Sequence, residues 1–204
     1  MKITVTSLKG GVGKTTSSIH IAGCLAMRGK TLLIDADTNQ SSLDWYRAGS
    51  GLPFDVTAIA DARKYLATNT PDHIVLDTAA APSDDSLKTL AKDTDLLILP
   101  SKPDSLSLRA LIKTIQILKV AKVTNYRVLL TMVPTSPRRT GEQAAEALVS
   151  NGIPVFKNQI RYYSAYELAA TNGCLVNQAR DMKGKKAPNG AIAFSDYLAV
   201  GNEL

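Results

Sequence analysis

The chain has 204 residues, with 24 lysines and arginines against 18 aspartates and glutamates and a formal net charge of +6. A hydrophobic fraction of 45% and a charged fraction of 21% are ordinary for a globular protein and exclude a disordered, collagen-like or coiled-coil chain. The length predicts a single domain over residues 1–204. Cys24 and Cys174 are too few for a disulfide framework or a four-ligand zinc site.

Short apolar runs alternate with longer helical patterns. The runs predicted as strands are Ile3–Leu8, Thr31–Asp35, Ile74–Asp77, Leu96–Pro100 and Val128–Val133. The predicted helices are Thr15–Arg28, Ser41–Ala48, Asp61–Leu66, Ser83–Lys92, Leu106–Thr124, Gly141–Ser150 and Ala191–Val200. Because the strands are continuously apolar, we expect both of their faces to be buried. The pattern predicts an α/β fold with a doubly wound, mostly parallel sheet, helices on both faces, and a ligand at the carboxyl ends of the strands.

A glycine-rich loop lies between the first predicted strand and the first predicted helix. It reads Lys9-Gly10-Gly11-Val12-Gly13-Lys14-Thr15-Thr16. Glycines let backbone N–H groups converge on an anion, and the start of the following helix adds its own N–H groups and dipole. In such a loop the lysine at position 14 reaches the β- and γ-phosphates, and the hydroxyl of Thr15 binds Mg²⁺. The sequence therefore predicts a site for a nucleoside triphosphate and Mg²⁺.

The loop departs from the general phosphate-loop pattern at its start. Leu8 stands where that pattern has its first glycine, and Lys9 precedes the double glycine. The run Lys9–Thr16 resembles the deviant Walker A motif of the ParA/MinD family of positioning ATPases. Asp35 and Asp37, in Leu32–Asp37, resemble the second motif of that family, although Thr38 follows where the family usually has proline.

Further positions along the chain carry the same resemblance. Asp77, which closes the run Ile74–Asp77, is similar to the Walker B aspartate. Asp104 follows a strand whose loop lies near the partner's nucleotide in relatives, and Arg161 resembles a late basic position that relatives use on DNA. Adenine contacts are expected after the Val128–Val133 strand, around Pro134–Arg138.

The three aspartates are candidates for the metal and the attacking water. Mg²⁺ dehydrates reluctantly, so Asp77 is expected to hold it through water. Asp35 would support the metal, and Asp37 would orient the attacking water. Helix capping before Ser41 and Ser42 remains an alternative for Asp35 and Asp37.

Lys9 has no obvious local role, because a second ammonium beside the one at position 14 should be repelled from the same site. The resemblance implies that Lys9 crosses a homodimer interface to the phosphates of the partner subunit. There it would act as a trans cation in catalysis. A simply solvated lysine is the alternative.

Basic residues are spread over the second half of the chain, and alone they fit an ordinary solvated surface. The resemblance implies non-specific DNA binding, with candidate contacts at Arg138, Arg139, Lys157 and Arg161. The tail Ala191–Leu204 contains Asp196 and Glu203 but no lysine or arginine, which argues against a basic helix for membrane binding.

Taken together, the motifs favour a small ParA-type ATPase that uses ATP and Mg²⁺ and dimerises on ATP. Such a protein binds nucleoid DNA in the cytoplasm and is released when a ParB-like or McdB-like adaptor stimulates hydrolysis. Its cargo would be a plasmid, a chromosome locus or a carboxysome. Two alternatives are a metabolic P-loop enzyme and a reductase like the nitrogenase iron protein. The reductase is disfavoured because neither cysteine follows the Walker B strand.

Overall fold

The computed structural model describes residues 1–49, 51–137 and 139–204. Its sheet has six parallel strands: β1 (Lys2–Ser7), β2 (Thr31–Ala36), β3 (Asp55–Ala58), β4 (His73–Ala80), β5 (Leu96–Ser101) and β6 (Tyr126–Leu130). Their order across the sheet is β3-β2-β4-β1-β5-β6, so β1 lies between β4 and β5. The predicted parallel α/β fold is confirmed, and β3 is an edge strand that the sequence analysis missed.

Helices cover both faces of this sheet. Those in the described residues are α1 (Lys14–Ala26), α2 (Ser41–Arg47), α3 (Ile59–Thr68), α4 (Asp84–Lys92), α5 (Ser105–Val120), α6 (Arg139–Ser150), α7 (Ala165–Asn172) and α8 (Gly190–Gly201). All seven predicted helices are present, with ends that differ by a few residues, and α7 was not predicted. Among the described helices, none combines the length and hydropathy that a transmembrane span requires.

The strand β5 shows why the apolar runs are continuous. Ile98 packs in one hydrophobic cluster with α1, α7 and α8, whereas Leu97 and Leu99 pack in a second cluster with α4, α5 and α6. Successive side chains of a strand point to opposite faces of the sheet. Both faces of β5 are therefore buried, as the uninterrupted apolar sequence predicted.

The carboxyl ends of the central strands bring the candidate polar residues to one edge. β1 runs into the glycine loop, and β2 and β4 pair so that Asp35 lies opposite Asp77. Paired positions of parallel strands point to the same face, which places the two carboxylates next to each other. The fold thus gathers the glycine loop, Asp35 and Asp77 at the edge where parallel sheets bind ligands.

Candidate nucleotide site

The glycine loop has a backbone shape that only glycine adopts without strain. Gly11 and Gly13 have φ angles of 67° and 80°, in the left-handed region. Gly13 is the residue before α1, and its carbonyl accepts the N–H of Ser17 at 2.9 Å. Side chains added at Gly10 or Gly11 would meet no atom within 4 Å, so the outer side of the loop is open. An anion can therefore approach the N–H groups of the loop and of the first turn of α1.

Lys14 begins α1 and lies beneath this loop. The residue is only 8% exposed, and among the residues that the structure describes its ammonium has no hydrogen-bond or ion-pair partner. The ammonium itself is not among the fully buried polar atoms that lack a hydrogen bond, so it reaches the solvent at the loop. An anion held in the loop would supply the missing partner, which fits the phosphate role predicted for Lys14.

Asp77 lies at the end of β4, fully buried, and accepts three hydroxyl hydrogen bonds. Thr15 and Ser42 donate to its Oδ2, each at 2.8 Å, and Ser18 donates to its Oδ1 at 3.0 Å. Burial raises the pKa of Asp77, and the three hydroxyls together oppose that shift. Ser18 and Ser42 were not predicted, because serines in helices give no signal in the sequence.

The set of oxygens at Asp77 fits a magnesium ion. Mg²⁺ in nucleotide sites is held by one or two carboxylates together with phosphate oxygens and water. Thr15 and Asp77 bring a hydroxyl and a carboxylate together beside the phosphate loop. Within the described residues, no group of three or more histidine, cysteine, aspartate or glutamate side chains gathers for a metal. Phosphate oxygens of a bound nucleotide and water would supply the remaining ligands of a metal at this position.

Asp35 and Asp37 have different surroundings. The buried Asp35 caps α2, since its Oδ2 accepts the N–H groups of Ser42 and Leu43 at 2.9 and 3.0 Å. Its Oδ1 accepts the N–H of Asp37 at 3.0 Å. This is the capping role left open in the sequence analysis, and Asp35 reaches the metal region only as the neighbour of Asp77. Asp37 is partly exposed and bonds through Oδ1 to the N–H of Asn39, which leaves its other oxygen open.

Lys9 and Asp104 come together within one chain. The Lys9 ammonium donates to Ser107 Oγ at 2.9 Å and lies 3.7 Å from Asp104 Oδ1. Asp104 in turn caps α5, accepting the N–H and the hydroxyl of Ser107 at 2.8 and 2.7 Å. The hydrogen bond from the Ser107 N–H is the largest cause of the lowered pKa of Asp104, and Lys9 adds to it. The predicted proximity of both residues to a neighbouring subunit's nucleotide is not tested in a single chain.

A cavity of about 200 Å³ lies beside the loop, bounded by Gly13 and Thr16. Its aromatic lining comes from α2, from the segment between α6 and α7, from α7 and from α8: Trp45, Tyr162, Tyr163, Tyr166 and Tyr197. Thr131 and Met132 also line it, whereas Pro134 is exposed and does not. The aromatic residues are scattered in the sequence, so their convergence could not be predicted from it.

His20 forms the floor behind this aromatic lining. It is fully buried, with Nδ1 2.7 Å from the carbonyl of Thr16 and Nε2 accepting the N–H of Val176 at 3.1 Å. The ring stacks on Tyr197 at 4.8 Å and meets the edges of Trp45 and Tyr166. Burial lowers the pKa of His20 to about 4.

The four candidate DNA contacts do not share one environment. Arg139 and Lys157 are exposed, and Arg138 lies outside the described residues. Arg161 instead forms a two-bonded ion pair with Asp196 on α8, at 3.0 Å from Nε and 2.6 Å from Nη2. This pair raises the pKa of Arg161. The guanidinium of Arg161 is thus paired with Asp196, and its predicted role on DNA stays a prediction.

Comparisons with known proteins agree with this geometry. Residues 3–176 match the CobQ/CobB/MinD/ParA nucleotide binding domain family. The chain belongs to the MinD/ParA family. The curated "Maintenance of carboxysome distribution protein A" of Gloeobacter kilaueensis is 35% identical to it over 208 aligned positions, covering 99% of this chain and 93% of the relative.

Solved structures show that this MinD/ParA protein shares its fold with several relatives. A putative plasmid partition protein from Borrelia burgdorferi bound to AMPPNP gives a TM-score of 0.71 at 19% identity, covering 99% of this chain and 98% of that one. A variant of Cyanothece McdA in complex with ATP gives a TM-score of 0.69 at 18% identity, covering 99% of this chain and 94% of that one. The relatives in these two structures hold ATP or its analogue.

Proposed function

We propose that this MinD/ParA protein is a Mg²⁺-dependent ATPase that works as a switch and dimerises around two bound ATP molecules. The observation that carries the proposal is the largely buried Lys14, whose ammonium reaches solvent beside an open glycine loop and has no partner among the described residues. Thr15 and Asp77 add the oxygens that Mg²⁺ requires. Asp37 keeps one carboxylate oxygen free of hydrogen bonds within the described residues, which suits a role in orienting water.

Each residue of the site has a task in this proposal. Lys14 and the loop N–H groups bind the phosphates, and Thr15 and Asp77 hold Mg²⁺, which supplies charge neutralisation to the transferring phosphoryl group. Asp37 orients the attacking water through its open carboxylate oxygen. Lys9 leaves Asp104 and enters the site of the partner subunit.

The cavity is proposed to receive the nucleotide base. Its volume of about 200 Å³ is below the range of whole-ligand pockets, roughly 300–1,000 Å³, so it fits one part of a ligand. Gly13 and Thr16 join the cavity to the phosphate loop. Aromatic walls suit the flat faces of a purine.

The cargo is proposed from the relatives. Full-length similarity at 35% identity to a carboxysome distribution protein favours carboxysome positioning, with nucleoid DNA as the track and an McdB-like adaptor as the stimulating partner. Plasmid partition with a ParB-like adaptor is the second candidate, because a protein named ParA from Rhizobium radiobacter is 24% identical over 99% of this chain. In either role, the protein would bind the nucleoid in the cytoplasm.

Calorimetry and turnover assays test the enzymatic part. We expect the protein to bind ATP with Mg²⁺ and to hydrolyse it, and to lose hydrolysis when EDTA removes the metal. Asp37→Asn should retain ATP binding and lose roughly a hundredfold in turnover, the scale of a positioned proton or water contact. Thr38→Ala, next to Asp37 in the same loop, is the matched control and should keep its rate. Normal turnover by Asp37→Asn would contradict the role of Asp37.

Microscopy separates the two cargos. A fluorescent fusion of the Lys14→Ala variant, made in the cells that produce the protein, should disturb carboxysome spacing if carboxysomes are the cargo. If plasmids are the cargo, carboxysome spacing stays normal and plasmid loss per division rises.

A further inference from the structure

One face of the short helix α2 contacts both Asp77, in the metal region, and the aromatic cavity beside the glycine loop. Ser42 and Trp45 are both buried and stand three residues apart, a spacing that puts side chains on the same side of a helix. Ser42 donates to Asp77 at 2.8 Å, on the metal side. Trp45 lines the cavity beside Gly13 and Thr16. A shift of α2 would therefore move a side chain at Asp77 and a side chain in the cavity wall.

The position of α2 is fixed at both of its ends. At its start, Asp35 accepts the N–H groups of Ser42 and Leu43. Further along, the indole N–H of Trp45 donates to the carbonyl of Cys174 at 3.1 Å, and the edge of the ring meets His20 at 5.8 Å between centroids. The orientation of the Trp45 ring is thus fixed by these two contacts, and the ring forms part of the cavity wall.

The loop that carries Asp37 ends where α2 begins. Gln40, the residue before α2, has a φ angle of 51°, in the left-handed region that is strained for a residue with a side chain. Asp37 and Gln40 are also joined by a backbone hydrogen bond of 2.9 Å. A movement of α2 therefore has to be taken up by the short turn that holds Asp37.

We infer that Trp45 is a base-contacting, positioning residue that couples an occupied base cavity to Asp37 through α2. The inference rests on the proposed nucleotide site and adds to it a link between its two halves. A nucleoside triphosphate packs its base against Trp45 and thereby fixes α2, with Ser42 on Asp77 and Asp37 facing the γ-phosphate. A ligand that has phosphates but no base leaves this link unused.

Trp45 is the single tryptophan of the chain, so emission excited at wavelengths that its seven tyrosines do not absorb reports on Trp45 alone. We expect Mg·ATP and Mg·ADP to change its emission at saturation. Mg·tripolyphosphate, whose binding is measured in parallel by calorimetry, should leave the emission unchanged. An equal change with tripolyphosphate, or no change at saturating ATP, would overturn the inference. A protein that binds no ATP at all would instead refute the proposed function.

Steady-state kinetics test the coupling. Trp45→Leu should raise KM for ATP roughly tenfold, the scale of one lost base–aromatic contact, and should also lower kcat. Its hydrolysis of tripolyphosphate should match that of the unmodified protein. Trp45→Phe keeps an aromatic face and is the matched control, which should retain most of both parameters. A rise in KM with kcat unchanged would leave Trp45 as a binding residue only and refute the link to Asp37. Melting temperatures identify a Leu variant that fails to fold, in which case the fluorescence result decides.

Discussion

Lys9 and Asp104 form an ion pair within one chain, with 3.7 Å between the ammonium nitrogen and Oδ1. The pair lies at the start of α5, where Asp104 also caps the helix. In the proposed dimer Lys9 has to leave this pair before it can reach the phosphates of the partner subunit. The pair therefore opposes dimerisation, by an amount equal to the free energy that is needed to break it.

Asp104→Asn should make ATP-dependent dimers form more readily. Asparagine caps a helix as well as aspartate does, so the variant removes the charge and keeps the helix start. The side chains of Lys9 and Asp104 are 35% and 48% exposed, and ion pairs with this exposure are worth about 0.2–1 kcal/mol. Two such pairs break when a dimer forms, so we expect the dimerisation constant with ATP to rise by up to about thirtyfold in sedimentation experiments.

Lys9→Ala is the complementary variant. It should still bind ATP but lose the dimer, because the trans cation is gone. A Lys9→Ala protein that sediments as the unmodified dimer, or an Asp104→Asn protein that dimerises less, would refute the role of this pair.

Lys14→Met should abolish nucleotide binding without lowering the stability of the ligand-free protein. Methionine fills similar space, and the ammonium that it replaces reaches solvent and has no partner among the described residues, so the free energy of unfolding of the ligand-free protein should stay within about 0.5 kcal/mol. Calorimetry should detect no ATP binding, and ATP should no longer raise the melting temperature. Lys14→Arg, which keeps the charge, is the control. A Lys14→Met protein less stable than the unmodified one would show that the ammonium has a partner in the ligand-free state.

The sequence predicts those parts of the molecule whose signal is local. The buried strands and the glycine loop each lie within one short segment; the strands were correctly predicted, and the loop lies between β1 and α1 as expected. The strand β3 has only four residues, Asp55–Ala58, with polar side chains at an edge of the sheet, and therefore gives no apolar run. The helix α7, Ala165–Asn172, is short and has few charges to mark one of its faces as exposed.

In the candidate site, too, only the residues that belong to a local motif could be predicted from the sequence. Lys14, Thr15 and Asp77 follow from motifs, whereas the hydroxyl of Ser42 reaches Asp77 only because β2 and β4 are neighbours. The aromatic cavity joins residues as far apart as Trp45 and Tyr197. Arg161 carries a basic charge in a late loop, but its partner Asp196 lies 35 positions further along, so the ion pair that engages it is visible only in the fold.

His20 should make the stability of the protein depend on pH. Its pKa is about 4 in the folded protein and near 6.5 in the unfolded chain, so the unfolded chain binds more protons between these values. The stabilising effect is complete above pH 6.5 and is lost as the pH falls toward 4. From pH 7 to pH 5 this amounts to about 2 kcal/mol in the free energy of unfolding.

Urea unfolding at the two pH values measures this effect. His20→Gln removes the ionisable group, so its loss of stability between pH 7 and pH 5 should be smaller than that of the unmodified protein by about the same amount. The comparison cancels the contributions of other titrating groups such as Asp77. Equal losses in the two proteins would mean that His20 titrates normally in the fold.

The exposed cations Arg139 and Lys157 are the better test of DNA binding. Replacing both with glutamate should weaken binding to random-sequence DNA and reduce the dependence of log K on log salt by roughly two contacts, about 0.9 each. Arg63 and Lys64 on α3 are equally exposed and provide a control with the same charge change elsewhere on the surface. Equal losses in both double variants would indicate a general effect of net charge rather than a DNA-binding surface.

Arg161→Ala should act differently from these surface variants. It leaves Asp196, whose side chain is 9% exposed, without its charged partner, and should cost about 2 kcal/mol in the free energy of unfolding. Asp196→Asn should cost a similar amount, and the double variant should cost less than the sum of the two, because each substitution breaks the same pair. If Arg161→Ala lowers both the stability of the free protein and the salt dependence of DNA binding by one contact, its guanidinium exchanges Asp196 for a phosphate when DNA is bound.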